Sequence, residues 1–261
     1  MAAIRQEQTF PQRRGNIVLK AVTFDFWSTL VDGAPTPART AERVARLHQA
    51  IAGAGAACTA DELLQAFDRM TEHLDAAARE SLEDVGPPGR WAMLARELNI
   101  PEGLIPFEVV ERAYEDITLN PPPAAMPHVH AAVEAMRRAG YRLGVICNTG
   151  MAGGRVLRQV LRHHRLLEFF DITVFSNELG VPKPHPRIFE HALAELGDVP
   201  PAEALHVGDV EELDVDGARR ARMFAALYAP GGNGEVNTRA DFVVRDWRDF
   251  GEQIKRFVMP G

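Results

Sequence analysis

The sequence predicts an α/β fold: a parallel sheet core whose first strand is followed by a long helical insertion. Three observations predict it. Short apolar runs recur along the chain and, after residue 129, alternate with helix-length amphipathic segments, which is the pattern of parallel βαβ units. Between about 38 and 119 no convincing strand occurs. Polar and acidic residues stand directly behind several of the apolar runs, where strand C-termini of a parallel sheet bind ligands.

The first run, Lys20 to Phe24, carries Asp25 to its end, followed by Ser28-Thr29 and Asp32. Gly33-Ala34-Pro35-Thr36-Pro37 then breaks the chain, because proline cannot continue a strand ladder. Four apolar faces follow at helical spacing: Val44, Leu47, Ile51; Leu63, Leu64, Phe67, Met70; Trp91, Leu94, Ala95, Leu98; and Phe107, Val110, Tyr114. Pro121-Pro122-Pro123 closes this stretch as a stiff extended linker. Beyond it the expected helices are 129–139, 155–167, 186–196, 213–222 and 247–258. The expected strands are 141–147, 172–175, 204–207, 224–228 and 242–244. Gly140 stands where a helix C-terminal glycine belongs. The expected division is a loose polar extension over 1–16, an α/β core from 17–34 and 122–261, and a helical domain from 35–121.

Composition narrows the class. In 261 residues, 46% are apolar and 25% charged, ordinary for a globular chain with a sizeable core. A net charge of −7 gives no electrostatic reason to expect nucleic acid or an anionic membrane as partner, and no apolar run approaches the roughly 20 residues of a membrane span. Cys58 and Cys147 lie far apart, outside metal-ligand spacing, and read as free thiols of a reducing cytoplasm. Met1 to Asn16 lacks the apolar core of a secretory signal. Oligomeric state is left open.

If the sheet is parallel, four groups share one edge: Asp25; Cys147-Asn148-Thr149-Gly150; Lys183 within Val181-Pro182-Lys183-Pro184; and Gly208-Asp209 with Asp214 close behind. Each has a plain structural reading. Lys183 between prolines could be a surface turn, Asp214 and Asp216 could complement a helix N-terminus, and Cys147 could be a small buried strand end. Glu211 and Glu212 read as solvated loop charges, His206 as a strand residue, and Arg90, Trp91 and Tyr114 as residues of the insertion that pack in its core, meet solvent or face a ligand.

Together these motifs resemble the haloacid dehalogenase superfamily, from about Val18 to the C-terminus: Asp25-Phe26-Trp27-Ser28-Thr29, Cys147-Asn148, Lys183, and Gly208-Asp209-x4-Asp214, in that order. The resemblance implies a Rossmann-like core with an inserted α-helical cap. It implies Asp25 as a nucleophile forming a covalent aspartyl intermediate and Lys183 as the cation that neutralises it. It implies Mg²⁺ held by Asp25, the Trp27 carbonyl, Asp209 and Asp214, and substrate contacts from Thr29, Cys147, Asn148 and Thr149. The chemistry agrees, since a carboxylate attacks an anionic phosphoryl group poorly unless cations screen the charge.

Two positions depart from the family's phosphatase pattern. Trp27 stands where a second Asp would protonate the leaving oxygen and activate water, and indole does neither. Cys147 replaces the usual Ser or Thr. Three readings stay open: a Mg²⁺-dependent hydrolase of a phosphorylated small molecule, a 2-haloacid dehalogenase, whose halide leaves without a proton, and a catalytically silent binding module.

Overall fold

The computed structural model describes residues 18–34, 36–80, 83–231 and 236–258; the loose extension expected over 1–16 lies outside these. Six strands form one parallel sheet: β1 (Ala21–Phe24), β2 (Arg142–Cys147), β3 (Ile172–Phe175), β4 (Ala204–Gly208), β5 (Phe224–Tyr228) and β6 (Phe242–Val244). Their order is β3-β2-β1-β4-β5-β6, so the chain winds outward in one direction through β3 and then returns beside β1 with β4. In such an order the crevice lies at the C-terminal ends of the two strands flanking the reversal, here β1 and β4. Asp25 follows the one and Asp209 the other.

Alternation along the strands splits the core. Val22, Phe24, Val145 and Val207 face α5 (Val129–Arg138), α6 (Gly154–His163) and α10 (Phe250–Val258). Ala21, Ile146, Val174 and Leu227 face α8 (Pro186–Glu195) and α9 (Asp216–Arg220). Phe24 anchors the first layer, in aromatic contact with Phe170, Trp247 and Phe250 at centroid distances of 5.9–6.0 Å.

The stretch between β1 and α5 folds as four helices: α1 (Pro37–Gly53), α2 (Ala60–Glu80), α3 (Gly86–Glu97) and α4 (Phe107–Leu119). Their apolar faces meet in a third cluster around Leu47, Ile51, Leu63, Leu94 and Val110, to which, among the described residues, Met151 alone is contributed from beyond the insert. The two connections to the sheet pair with each other. Val31 bridges Ala125 antiparallel, Asp32 N–H donates to Ala124 O at 2.8 Å, and Met126 N–H to Leu30 O at 2.9 Å. The proline run therefore returns into a hydrogen-bonded neck rather than standing free as a spacer.

Three local expectations change. The helix expected to reach Leu167 ends at His163, because Arg165 takes a left-handed backbone (φ 54°) and a 3₁₀ turn follows at Leu167–Phe169. The segment expected as one helix from Leu213 opens instead as a π turn over Glu211–Val215 before α9. Directly after β3 lies an additional one-turn helix, α7 (Ser176–Leu179), closed by Gly180 at φ 74°.

Phe24→Ala should cost about 3–5 kcal/mol through lost burial and a cavity among three aromatic rings. A urea unfolding curve of wild type against variant reads that loss directly.

Candidate active site

The site is built on four strand ends. Asp25 continues β1, and its N–H donates to Val207 O at 2.8 Å, which ties it to β4. Lys183 reaches it from the loop after α7. The Lys183 ammonium, 3% exposed, donates to Asp25 Oδ1 and, at 2.6 Å, to Asp214 Oδ1. Asn148 fixes the lysine's backbone from both sides: Lys183 N–H donates to Asn148 Oδ1 at 2.7 Å, and Asn148 Nδ2 to Lys183 O at 2.9 Å. Asn148 thus spends its amide on Lys183.

Asp214 is the most heavily bonded acid. Its Oδ1 accepts from Lys183 and from His206 Nε2 at 3.2 Å, and its Oδ2 from Val210 N–H at 2.9 Å. Because an ionised Asp only accepts, His206 carries its proton on Nε2, and Nδ1 then accepts from the Thr23 hydroxyl at 2.9 Å. Thr23 and His206 are register partners on β1 and β4, so sheet pairing places them side by side. Burial opposes ionisation of Asp214, yet the Lys183 charge and the His206 hydrogen bond hold its carboxyl well below the usual range. Burial lowers His206, keeping it neutral.

Asp25 has the opposite fate. Burial, together with the charges of Asp214 and Asp209, raises it to about 7 despite Lys183. Burial would strip Lys183 of its proton, but Asp214 and Asp25 together hold it firmly charged. One lysine serves two acids, and Asp214 keeps the charge. Asp209 is also raised, by burial and then by Asp214, while Thr29, fully buried, donates to its Oδ1 at 3.4 Å.

Carboxylate oxygens of Asp25, Asp209 and Asp214 lie within 4.8 Å of one another. An all-oxygen set with three acids against one lysine fits a hard divalent cation, and the raised Asp25 marks negative charge that the protein alone leaves uncompensated.

The other expected residues fall close by. Cys147 is fully buried, its thiol donating to Asn148 O at 3.3 Å, and burial followed by the Asp25 charge pushes that thiol well up, so it stays protonated. Thr149 N–H donates to Ser176 Oγ at 2.8 Å. The Trp27 ring, half-buried, packs edge-on against Phe26 at 4.9 Å and lines two neighbouring cavities. Glu211, read as a solvated charge, accepts from Thr238 Oγ1 at 2.5 Å and Arg239 N–H at 2.8 Å and ties down the following loop.

Sequence reasoning missed His206, Ser176 and Asp84. Asp84, on the insert just before α3, hydrogen-bonds the Ser176 hydroxyl and so links the insert to the β2 loop through Thr149. A polar residue inside the apolar run Leu205-His206-Val207 was the available signal for the histidine, since a buried imidazole requires partners.

Comparison with known proteins follows the same lines. A haloacid dehalogenase-like hydrolase family model matches residues 19–222. The glyceraldehyde 3-phosphate phosphatase of Methanopyrus kandleri is 32% identical over 190 residues, covering 69% of this chain and 76% of that protein. Other curated relatives are matched over about half of their own length. A HAD phosphatase from Thermococcus onnurineus superposes with a TM-score of 0.62 at 23% identity, covering 90% of this chain and 98% of that one. A 2-haloacid dehalogenase from Pseudomonas syringae does so at 0.61 and 24%, covering 92% and 100%. The shared fold does not separate these two chemistries.

Gly208 lets the acids converge: a Cβ there would lie 2.1 Å from Asp214 Cγ. Gly208→Ala should therefore destabilise the chain by roughly 1–3 kcal/mol, read from the denaturation midpoint. A pH series isolates Asp25. Its folded-state value of about 7 lies above its ordinary 3.8, so between those limits unfolding releases a proton and rising pH favours the unfolded chain. Without divalent cations, Asp25→Asn should melt above wild type by on the order of 5 °C at pH 8. The gap should close toward pH 4 and stay level above about pH 7.

Proposed function

The chain belongs to the haloacid dehalogenase-like hydrolases, and from that premise we propose that it is a Mg²⁺-dependent hydrolase of a phosphorylated small molecule. The observation that carries the reading is the convergence of Asp25, Asp209 and Asp214 with Lys183 across the β1–β4 crevice. In this reading Asp25 attacks the phosphorus as the P–O bond to the leaving group breaks and that group departs with the electron pair; water then attacks the resulting aspartyl phosphate, breaking the Asp25 O–P bond and releasing inorganic phosphate. Lys183 offsets the negative charge that gathers on Asp25 and the transferring group. Asp25, Asp209, the Trp27 carbonyl and Asp214 would hold the cation, with Asp214 contributing mainly charge because both its oxygens already accept protein hydrogen bonds. When bound, Mg²⁺ supplies charge neutralisation that keeps Asp25 ionised and draws electrons from the phosphoryl oxygens. The helical insert acts as the cap over this edge, and core residues 122–258 carry the remaining strand-end groups.

Trp27 decides the leaving group. No proton donor stands at that position, so the reaction is restricted to leaving groups that depart unprotonated, such as acyl phosphates or activated esters, or to substrates that bring their own acid. The same indole supports a second reading, dehalogenation of a 2-haloacid, because halide departs without a proton; the acid cluster weighs against it.

Inorganic phosphate release from a panel of acyl phosphates and phosphate esters should require Mg²⁺ and vanish in Asp25→Asn. Trp27→Asp should raise turnover of simple alkyl phosphates by about 10²–10⁴. Phosphate release that survives exhaustive chelation would count against the Mg²⁺-dependent reading, and halide release from a 2-haloacid, lost in Asp25→Asn, would replace it with the second.

A further inference from the structure

Beside the acid cluster lies a small cavity of ≈ 240 Å³ with a different electrostatic character. Trp27 and Gly150 form its wall on the sheet side, and Arg43, Arg90 and Tyr114 face it from the insert. Among the described residues, its lining includes two guanidinium groups and no carboxylate, in a chain of net charge −7.

Two of its buried donors have no partner among the described residues. Tyr114, 4% exposed, leaves its hydroxyl without a hydrogen bond, and Arg90 leaves Nε without one. Arg90 is nonetheless held in place, with Nη2 3.3 Å from the buried Asp84 carboxylate. Arg43, which is exposed, forms no ion pair among the described residues, and its charge is felt by the Tyr114 phenol. Burial keeps that phenol protonated, so it can donate. Buried groups normally find partners, and leaving them unmatched is costly. Two orphaned buried donors, with the exposed Arg43 guanidinium beside the same space, favour an oxygen acceptor carrying negative charge.

We propose that this cavity receives a second anionic group of the substrate, a carboxylate or a further phosphate, on the part that is not transferred. The proposal rests on the phosphate-ester reading of the Asp25 edge and names the substrate class: small phosphate monoesters or acyl phosphates bearing an acid at the far end. Trp27 lines this cavity and stands two residues after Asp25, so its indole would flank the part of the substrate that joins the two anions. The residue that removes the usual proton donor thereby becomes a spacer that sets the reach of the substrate.

The test compares alkyl phosphates with ω-carboxyalkyl phosphates of two to five carbons, titrated calorimetrically into the Asp25→Asn chain with Mg²⁺. The acid-bearing compound should bind at least about tenfold tighter at one preferred length, as a charge-assisted hydrogen-bonded pair would give. Adding Arg43→Gln or Tyr114→Phe should reduce that preference to about twofold. Tyr114→Phe loses no internal hydrogen bond, so its fold is not in question. The proposal is overturned if no length shows a preference, if neither series binds, or if the preference survives both substitutions. Turnover separates it from its premise. A clear preference with no phosphate release by wild type removes the hydrolase reading alone, and phosphate release without preference removes this one alone.

Discussion

The buried ammonium of Lys183 is the constraint on which the rest of the site depends. Removing a cation from water costs several kcal/mol, and only a well-placed, fully hydrogen-bonded counter-charge offsets it. Here Asp214 and Asp25 share that duty, and the remaining lone pairs of Asp214 are taken by His206 and the Val210 amide. Asn148 holds the lysine's backbone so that the ammonium has no need to search. Charge on Asp214 is secured by this arrangement, which leaves Asp25 as the group whose ionisation responds to whatever enters the crevice.

Sheet topology makes that possible. With β1 central and flanked by β2 and β4, residues separated by more than 180 positions become neighbours, as Thr23 and His206 show. The Thr23–His206–Asp214 chain runs along one side of the sheet and ends on Lys183, so a hydrogen-bonded file inside the core orients the acid at its rim. Cores tolerate such polar files only when every member is satisfied, and this one is.

The sheet and the insert were legible in the sequence because periodicity and proline punctuation are local signals. Asp25, Lys183, Asp209 and Asp214 were legible as a group because each follows an apolar run that a parallel sheet brings to one edge. What escaped depends on partners rather than on neighbours in sequence. His206 looks like an ordinary strand position until Thr23 is known to lie beside it. Ser176 and Asp84 gain meaning only through a contact across 92 residues. The π turn at Glu211–Val215 has no sequence signature of its own; Asp214 N–H to Val210 O and the Val210 N–H to its carboxylate draw the chain into it. The left-handed turn at Arg165 that ends α6 was equally hidden, since arginine carries no preference for it.

The neck has an evolutionary consequence. Because Asp32 N–H donates to Ala124 O and Met126 N–H to Leu30 O, with Val31 opposite Ala125, the chain enters and leaves the insert through one closed seam, and the fully buried residues of the sheet's core come from outside the insert. The insert has its own apolar centre and is fastened to the sheet domain by polar pairs such as Asp84–Ser176 and Arg155–Glu115, with apolar contacts at Met151 and Leu119. In the proposed reading, selection can therefore redraw the insert like a cassette, altering the surface offered to a substrate while the strand-end residues are kept.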